Sequence, residues 1–250
     1  MILGISNLAW EDFVDLSILT DNGIKCVEIV IPKHLVWRSN NLEKLVDFTQ
    51  RLGDEGIIVL STQSILYGSG IGTFSDKEFG IHMQEVSKVC ETIGVSKLVL
   101  GAPNSRKNKG DGVGLINNFS YIDSILRQRE QILLIEPNTR TYGGEYFHTV
   151  CEIRDFISEN GFTNIKTMID THNCVFEEED PCEAFIRNQV IVEHVHVSEV
   201  GLSDFHPSEV HEKLARTLKE HEYGGLVIYE AKPSINLVNS LRLFNQTYNI

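Results

Sequence analysis

Four short apolar runs, each closed by an acid or a histidine, recur in the second half of this chain at a spacing that few folds accommodate. Gln131-Ile-Leu-Leu-Ile-Glu136 runs into Pro137, and Lys166-Thr-Met-Ile-Asp170, Ile191-Val-Glu-His-Val-His196 and Leu226-Val-Ile-Tyr-Glu230 repeat the design. A short continuous apolar run rich in β-branched residues reads as a strand buried on both faces. The closing residues fall at 136, 170, 196 and 230, steps of 34, 26 and 34 residues, each the length of one strand–helix unit. A carboxylate at the last position of such a strand is an odd choice for stability alone. It is a natural choice if the carboxyl ends of the strands face a site.

The rest of the chain extends this period to eight units. Strands are predicted over 2–6, 25–31, 56–62 and 97–100, then in the four runs ending at Glu136, Asp170, near Val197 and at Glu230. Helical spacing is found over 10–19, with Gly23 as its C-cap, and over 42–52, 76–93, 115–129, 145–158, from Pro181, 207–222 and 235–244. The glycine-rich stretch 67–73 does not match a phosphate-cradling loop, and 107–114 reads as a polar loop. With 250 residues and no linker or low-complexity tract, eight alternating units predict one domain over 1–250, an α/β (β/α)8 TIM barrel. A doubly wound open sheet is the alternative; no G-x-G-x-x-G follows strand one, which weighs against it.

Composition narrows the partners. A net charge of −13 argues against nucleic acid or an anionic membrane, both of which favour a basic face. The five cysteines are scattered with no CxxC pair, so neither a disulfide framework nor a zinc ribbon is suggested, and a reducing, cytoplasmic location is expected. The N-terminus reads as a first strand rather than a signal peptide, and no apolar run approaches membrane-spanning length. A homo-oligomer remains compatible with all of this.

In a barrel, strand carboxyl ends converge on one mouth, so Glu136, Asp170, His196 and Glu230 must lie near one another. Two Glu and an Asp crowded together repel unless a cation neutralises them. The oxygen and imidazole set suits one divalent ion, with Mn2+, Mg2+ or Co2+ favoured over Zn2+ because no thiolate is among the four. Each residue alone has a plainer reading. Asp170 could simply cap the next helix, and His196 could be a hydrogen-bonded core histidine. His194, two residues earlier on the same strand face, is expected one layer deeper as a core residue. Glu28 faces either the mouth or a buried polar network. The run Glu177-Glu-Glu-Asp180 reads as a solvated loop, and Cys174 has no base partner in the sequence.

With these residues in view, the chain resembles the xylose-isomerase-like TIM barrels, a superfamily of sugar-phosphate isomerases and epimerases, over nearly its whole length. The likeness lies in Ile5-Ser-Asn-Leu-Ala-Trp10, Gln63-Ser-Ile-Leu-Tyr-Gly68, Gly101-Ala-Pro-Asn-Ser-Arg106, Glu136-Pro-Asn138 and Tyr142-Gly-Gly-Glu-Tyr-Phe-His-Thr149. It continues in His196-Val-Ser-Glu199 and Tyr229-Glu-Ala-Lys232. The resemblance implies that strands five to eight supply the ligands Glu136, Asp170, His196 and Glu230. Leu202 stands where ketose 3-epimerases of the tagatose type carry an Arg, six residues after the metal His, which argues against a free ketohexose as substrate. Those enzymes also place a substrate-binding His three residues after the Asp, whereas His172 follows Asp170 by two. Endonuclease-IV-like nucleases share the fold, and Asp204-Phe-His206 is similar to their Asp-x-His metal motif. For their further histidine ligands His34 is the only nearby candidate, and strand three ends at Gln63.

The chemistry expected of such a site is proton transfer beside a carbonyl. A cation offsets the charge of the developing enediolate, while Glu136 and Glu230 remove and return the proton. The expected activity is therefore that of a metal-dependent isomerase or epimerase acting on a sugar or sugar phosphate. His172, Arg106 and Lys232 are candidate contacts for substrate oxygens or a phosphate, surface charge being the plainer reading of Arg106. A metal-dependent dehydratase, a phosphodiesterase and a sugar-binding barrel without turnover are the alternatives.

Overall fold

The computed structural model describes residues 1–11, 15–37, 39, 41–107 and 112–250. Eight parallel strands close into a barrel in sequence order: β1 (Ile2–Ser6), β2 (Cys26–Val30), β3 (Ser61–Gln63), β4 (Lys97–Leu100), β5 (Ile132–Ile135), β6 (Ile165–Asp170), β7 (Val192–Ser198) and β8 (Leu226–Glu230). Closure is made by β1 on β8, with Ile2 paired to Leu226 and Ile5 to Tyr229. Helices α1 (Ser17–Asp21), α2 (Glu43–Asp54), α3 (Lys77–Thr92), α4 (Val113–Gln128), α5 (Val150–Asn160), α6 (Thr171–Phe176), α7 (Pro181–Asn188), α8 (Glu209–Glu220) and α9 (Leu237–Tyr248) follow the strands. No helix among the described residues is long and apolar enough to cross a membrane.

Strand alternation sorts the side chains. Leu133, Ile135, Val195, Val197, Val227 and Tyr229 pack outward, in the main core shared with the helices. Their neighbours fill the barrel interior: Cys26, Leu226 and Ile228 form one small apolar cluster, and Val99, Leu134 and Met168 another. Continuing the same parity places Glu28, Glu136, Asp170, His194, His196 and Glu230 on the interior, toward the mouth. At the opposite end Lys97 reaches across to Glu193 at 2.6 Å. Gly4 is required where β1 lies against β2, because a Cβ there would meet Cys26 O at 2.7 Å and Cys26 Cβ at 3.0 Å.

Several element boundaries differ from expectation, each for a local reason. Of the described residues in the predicted helix over 10–19, only those from Ser17 are helical: α1 starts where Asp15 accepts from the Ser17 amide and hydroxyl, and a 3-10 turn at Asn7–Ala9 comes before; residues 12–14 of that prediction lie outside the described residues, as do 108–111 of the predicted loop. Gly23 follows α1 with φ +72°. The third strand shortens from 56–62 to Ser61–Gln63, because Ile58 makes only an isolated bridge to Cys26 before pairing resumes. The fifth helix starts at Val150 rather than 145. Thr149 caps the Glu152 amide while Glu152 accepts from the His148 amide one residue before the cap, a variant of the capping box. The short helix α6 was not predicted; Asp170 is its N-cap.

Candidate metal and active site

Glu136, just past the end of β5, donates its amide to Leu100 O on β4, which fixes where its side chain leaves the wall. Asp170 and His196 are register partners on β6 and β7, and Glu230 ends β8 opposite Ser198. The four side chains are inward and almost wholly buried. One ligand atom from each lies within 4.8 Å of those of the other three. His196 Nδ1 is at the centre, 3.1 Å from Glu136 Oε1, 3.5 Å from Glu230 Oε2 and 3.9 Å from Asp170 Oδ2.

Asp170 serves two purposes with its two oxygens. Oδ1 accepts from the Asn173 amide at 2.7 Å, the capping role, while Oδ2 turns toward His196. The Ser198 hydroxyl bridges both oxygens at 3.2 Å, and Ser198 is itself held by Thr171 through its amide and carbonyl. Glu136 Oε2 accepts from Asn138 Nδ2 at 3.3 Å. The next layer down contains Glu28, which is fully buried. Its Oε1 accepts from His196 Nε2 at 2.8 Å, and its Oε2 lies 3.0 Å from His194 Nε2.

The electrostatics are those of an anionic cluster with too little positive charge. Burial, joined by repulsion from Glu136, pushes Asp170 up to about 7. Burial also pushes Glu230 up to about 8, with Glu136, Asp170 and Glu28 adding to it against the pull of His196. Burial opposes the charged form of Glu136 as well, but His196, Arg106 and Asn138 outweigh it and hold its pKa below the usual carboxylate value. His196 is disfavoured as imidazolium by burial, yet Glu28, Glu230 and Glu136 raise it well above an ordinary histidine. Two carboxyls kept from ionising by burial and by neighbouring carboxylates mark a place where a divalent cation would be stabilised, so the donor set fits such an ion.

The candidate substrate contacts are distributed differently. His172 sits beside the mouth with Nε2 2.7 Å from the Tyr142 hydroxyl, its ring parallel to that of Tyr142 and tilted against Phe176. Its buried Nδ1 has no well-aligned hydrogen-bond partner among the described residues. Burial lowers the His172 pKa, and burial next to Asp170, Glu136 and Glu230 raises that of Tyr142, so both rings are neutral near pH 7. Arg106 is not turned to the mouth. It is fully buried, and its guanidinium donates to the carbonyls of Leu100, Gly101, Glu136 and Phe147 at 2.6–3.3 Å. Its donors thus close the ends of β4 and β5 rather than wait for a phosphate. Lys232 is exposed past β8. Among the described residues, neither His206, exposed with Nδ1 on Asp204 O, nor His34, which accepts from Asn7 and stacks on Phe48, joins a group of metal-ligating side chains. Beside Glu136 a cavity of about 410 Å³ opens between the loops after β3 and β4, walled by Gln63, Tyr67, Gly101, Pro103 and Asn104.

Ser198, Tyr142 and Asn138 lie in stretches that carry the family resemblance, but the sequence reading gives them no site role. Ser198 carried a signal: it continues the 194, 196 parity of β7.

The chain belongs to the xylose isomerase-like TIM-barrel family, whose model matches residues 16–246. Its relatives include the 3-dehydro-D-guloside 4-epimerase of Escherichia coli (strain K12), 20% identical over 215 residues that cover 77% of this chain and 78% of that protein. Among solved structures, the 3-keto-D-glucoside 4-epimerase of E. coli superposes with a TM-score of 0.79 at 18% identity, covering 98% and 99% of the two chains. An AP endonuclease of family 2 from Brucella melitensis superposes equally well, with a TM-score of 0.79 at 15% identity and 98% of each chain covered. The homologues are thus sugar epimerases, on a fold shared with other chemistries.

Proposed function

We propose that this protein is a divalent-metal-dependent isomerase or epimerase of a small carbohydrate, with Glu136 and Glu230 as its proton carriers. The observation that carries the reading is the placement of these two carboxylates on either side of a buried ligand set, at the ends of strands three apart in the ring. A bound divalent cation would polarise the substrate's carbonyl and offset the negative charge that develops when the adjacent carbon loses its proton.

The chain's own residues supply the remainder. Glu136, held ionised beside His196 and Arg106, is the better base of the two in the cation-free protein. Glu230, with a raised pKa, is the better acid. Carboxyls poised in opposite protonation states are what acid–base catalysis at one carbon requires. Asp170 and His196 would hold the ion, and Tyr142 with His172 offer neutral hydrogen-bonding groups to sugar hydroxyls.

Members of this fold also cleave phosphodiesters, but the residues resembling additional nuclease ligands, His34 and His206, stand apart from the cluster. The test is deuterium incorporation from solvent into a panel of keto- and aldo-sugars and oxidised glycosides at saturating Mn2+. Exchange at a carbon next to the carbonyl is expected, and Glu230→Gln should slow it by about 10²- to 10⁴-fold. Absence of exchange from the whole panel, or a Glu230→Gln rate within about threefold of wild type, contradicts the proposal.

A further inference from the structure

Below the four-residue set, Glu28 occupies a position that the proposed chemistry leaves unused. It lies in β2, on the far side of the barrel from β6, and is fully buried against His196 and His194. Its two oxygens are employed unequally. Oε1 makes an aligned hydrogen bond of 2.8 Å with His196 Nε2. Oε2 is only 3.0 Å from His194 Nε2, but without the alignment of a hydrogen bond. The carboxylate is therefore aimed at His196 and backed by His194.

An imidazole offers a lone pair on one nitrogen only when its proton is on the other. The His196 nitrogen that faces Glu136, Asp170 and Glu230 is Nδ1; the one that faces Glu28 is Nε2. We propose that Glu28 is a positioning residue that locks His196 as the Nε2–H tautomer, with its ring plane fixed, so that the Nδ1 lone pair is presented to the cation. This rests on the metal reading of the four-residue set. A carboxylate behind a ligating histidine also makes the imidazole a stronger donor, because it stabilises the positive charge the ring gains on coordination. The three residues Glu28, His194 and His196 could themselves be read as a second cation site, since their ligand atoms lie within 4.8 Å of one another. That arrangement would require both nitrogens of His196 to coordinate at once and would give up the hydrogen bond already present. The geometry favours one ion with a carboxylate behind its histidine.

The experiment compares wild type, Glu28→Gln and Glu28→Leu by chelator competition for Mn2+ and by ion stoichiometry. Thermal unfolding without metal monitors the fold. Glutamine preserves shape and can still accept from Nε2–H, so a loss of about 10-fold in affinity is expected; leucine removes the acceptor and should cost about 100-fold. Independently, nitrogen-15 shifts of wild type loaded with Zn2+ should show His196 protonated at Nε2 and not at Nδ1, a readout that a merely structural carboxylate would not set. Binding by both variants within about threefold of wild type overturns the proposal while leaving the metal site intact. So does a second ion per chain, or a His196 proton on Nδ1. Wild type that binds no divalent ion overturns the metal reading itself, and this inference with it. If Glu28→Leu does not fold, Glu28→Gln and the wild-type nitrogen shifts decide the matter.

Discussion

Gly101 should be required by the site and dispensable to the fold, and Gly101→Ala tests both halves of that statement. A Cβ built on Gly101 would overlap Glu136 Oε2 and stand 3.6 Å from Glu136 Cδ and 3.8 Å from Asn138 Oδ1. Carbon and oxygen ordinarily touch at roughly 3.2–3.5 Å, so the carboxylate must swing by about 1 Å. That swing breaks the 3.3 Å bond to Asn138 and displaces the oxygen now 3.1 Å from His196 Nδ1. The backbone objects little, because the φ of Gly101 is open to L-residues. Overpacking costs of about 1–3 kcal/mol are reduced here, since the obstacle is the end of a side chain, and the loss of unfolded-state freedom returns about 0.4–1 kcal/mol. Stability should thus change by no more than about 1 kcal/mol, while a displacement of 1 Å at a reacting group can cost about 10²-fold in rate. The assays are thermal unfolding without metal, Mn2+ titration and solvent exchange of a turned-over sugar. Wild-type affinity and exchange within about threefold would refute the reasoning, as would a loss of stability large enough to account for the defect.

Three other perturbations probe the same architecture. Asp170→Asn retains a capping oxygen for the Asn173 amide, so the metal-free fold should hold, but Mn2+ affinity should fall by more than the about 10- to 100-fold that outer partners of a ligand typically cost; equal metal content in variant and wild type after gel filtration counts against it. In metal-free protein the folded state keeps protons on Asp170 (about 7) and Glu230 (about 8) that the unfolded chain has already released. Their stabilisation is present below the unfolded carboxylate range and lost as pH rises through 7 and 8, so metal-free Tm should fall across that window while Mn2+ affinity rises, the ion displacing those protons. A metal-free Tm that is flat or rising there contradicts the raised values. Arg106→Met removes donors from three strand-end carbonyls and from that of Phe147, and should destabilise by more than about 2 kcal/mol by denaturant titration, with unsatisfied acceptors costing about 1–3 kcal/mol each; a smaller loss would show that these carbonyls find other partners.

The barrel was legible because its signal is a period. Leu134 and Glu136, or Leu226, Ile228 and Glu230, share a face by strand geometry alone, and the apolar residues between them face the helices. The convergence of four strand ends then follows from closure. Elements shaped by one side-chain bond were harder to read. The Thr149–Glu152 box could have been found as a T-x-x-E spacing, and it resets the start of α5. Helix α6 hides behind Asp170, whose two roles leave one mark in the sequence. Arg106 was read as a surface or substrate cation because its actual partners are backbone carbonyls, which have no sequence signature. Glu28 carried a hint in its even parity with Cys26, but its partner His196 is 168 positions away.

The closure of β1 against β8 also constrains how the chain comes to be folded. Ile2 pairs with Leu226, so the strand made first must await the strand made last. At about 5–20 residues per second of synthesis, β1 spends roughly 10 to 45 seconds with one edge unmatched. Long-range closure of this kind makes for slow folding and leaves an exposed template for wrong partners in the meantime. The strand is short, five residues, and has Gly4 at its centre. A glycine weakens an isolated strand as a template, yet this one is needed for the finished wall to approach Cys26. The residue that lets β1 lie close against β2 therefore also makes its waiting edge a poor place for another chain to dock.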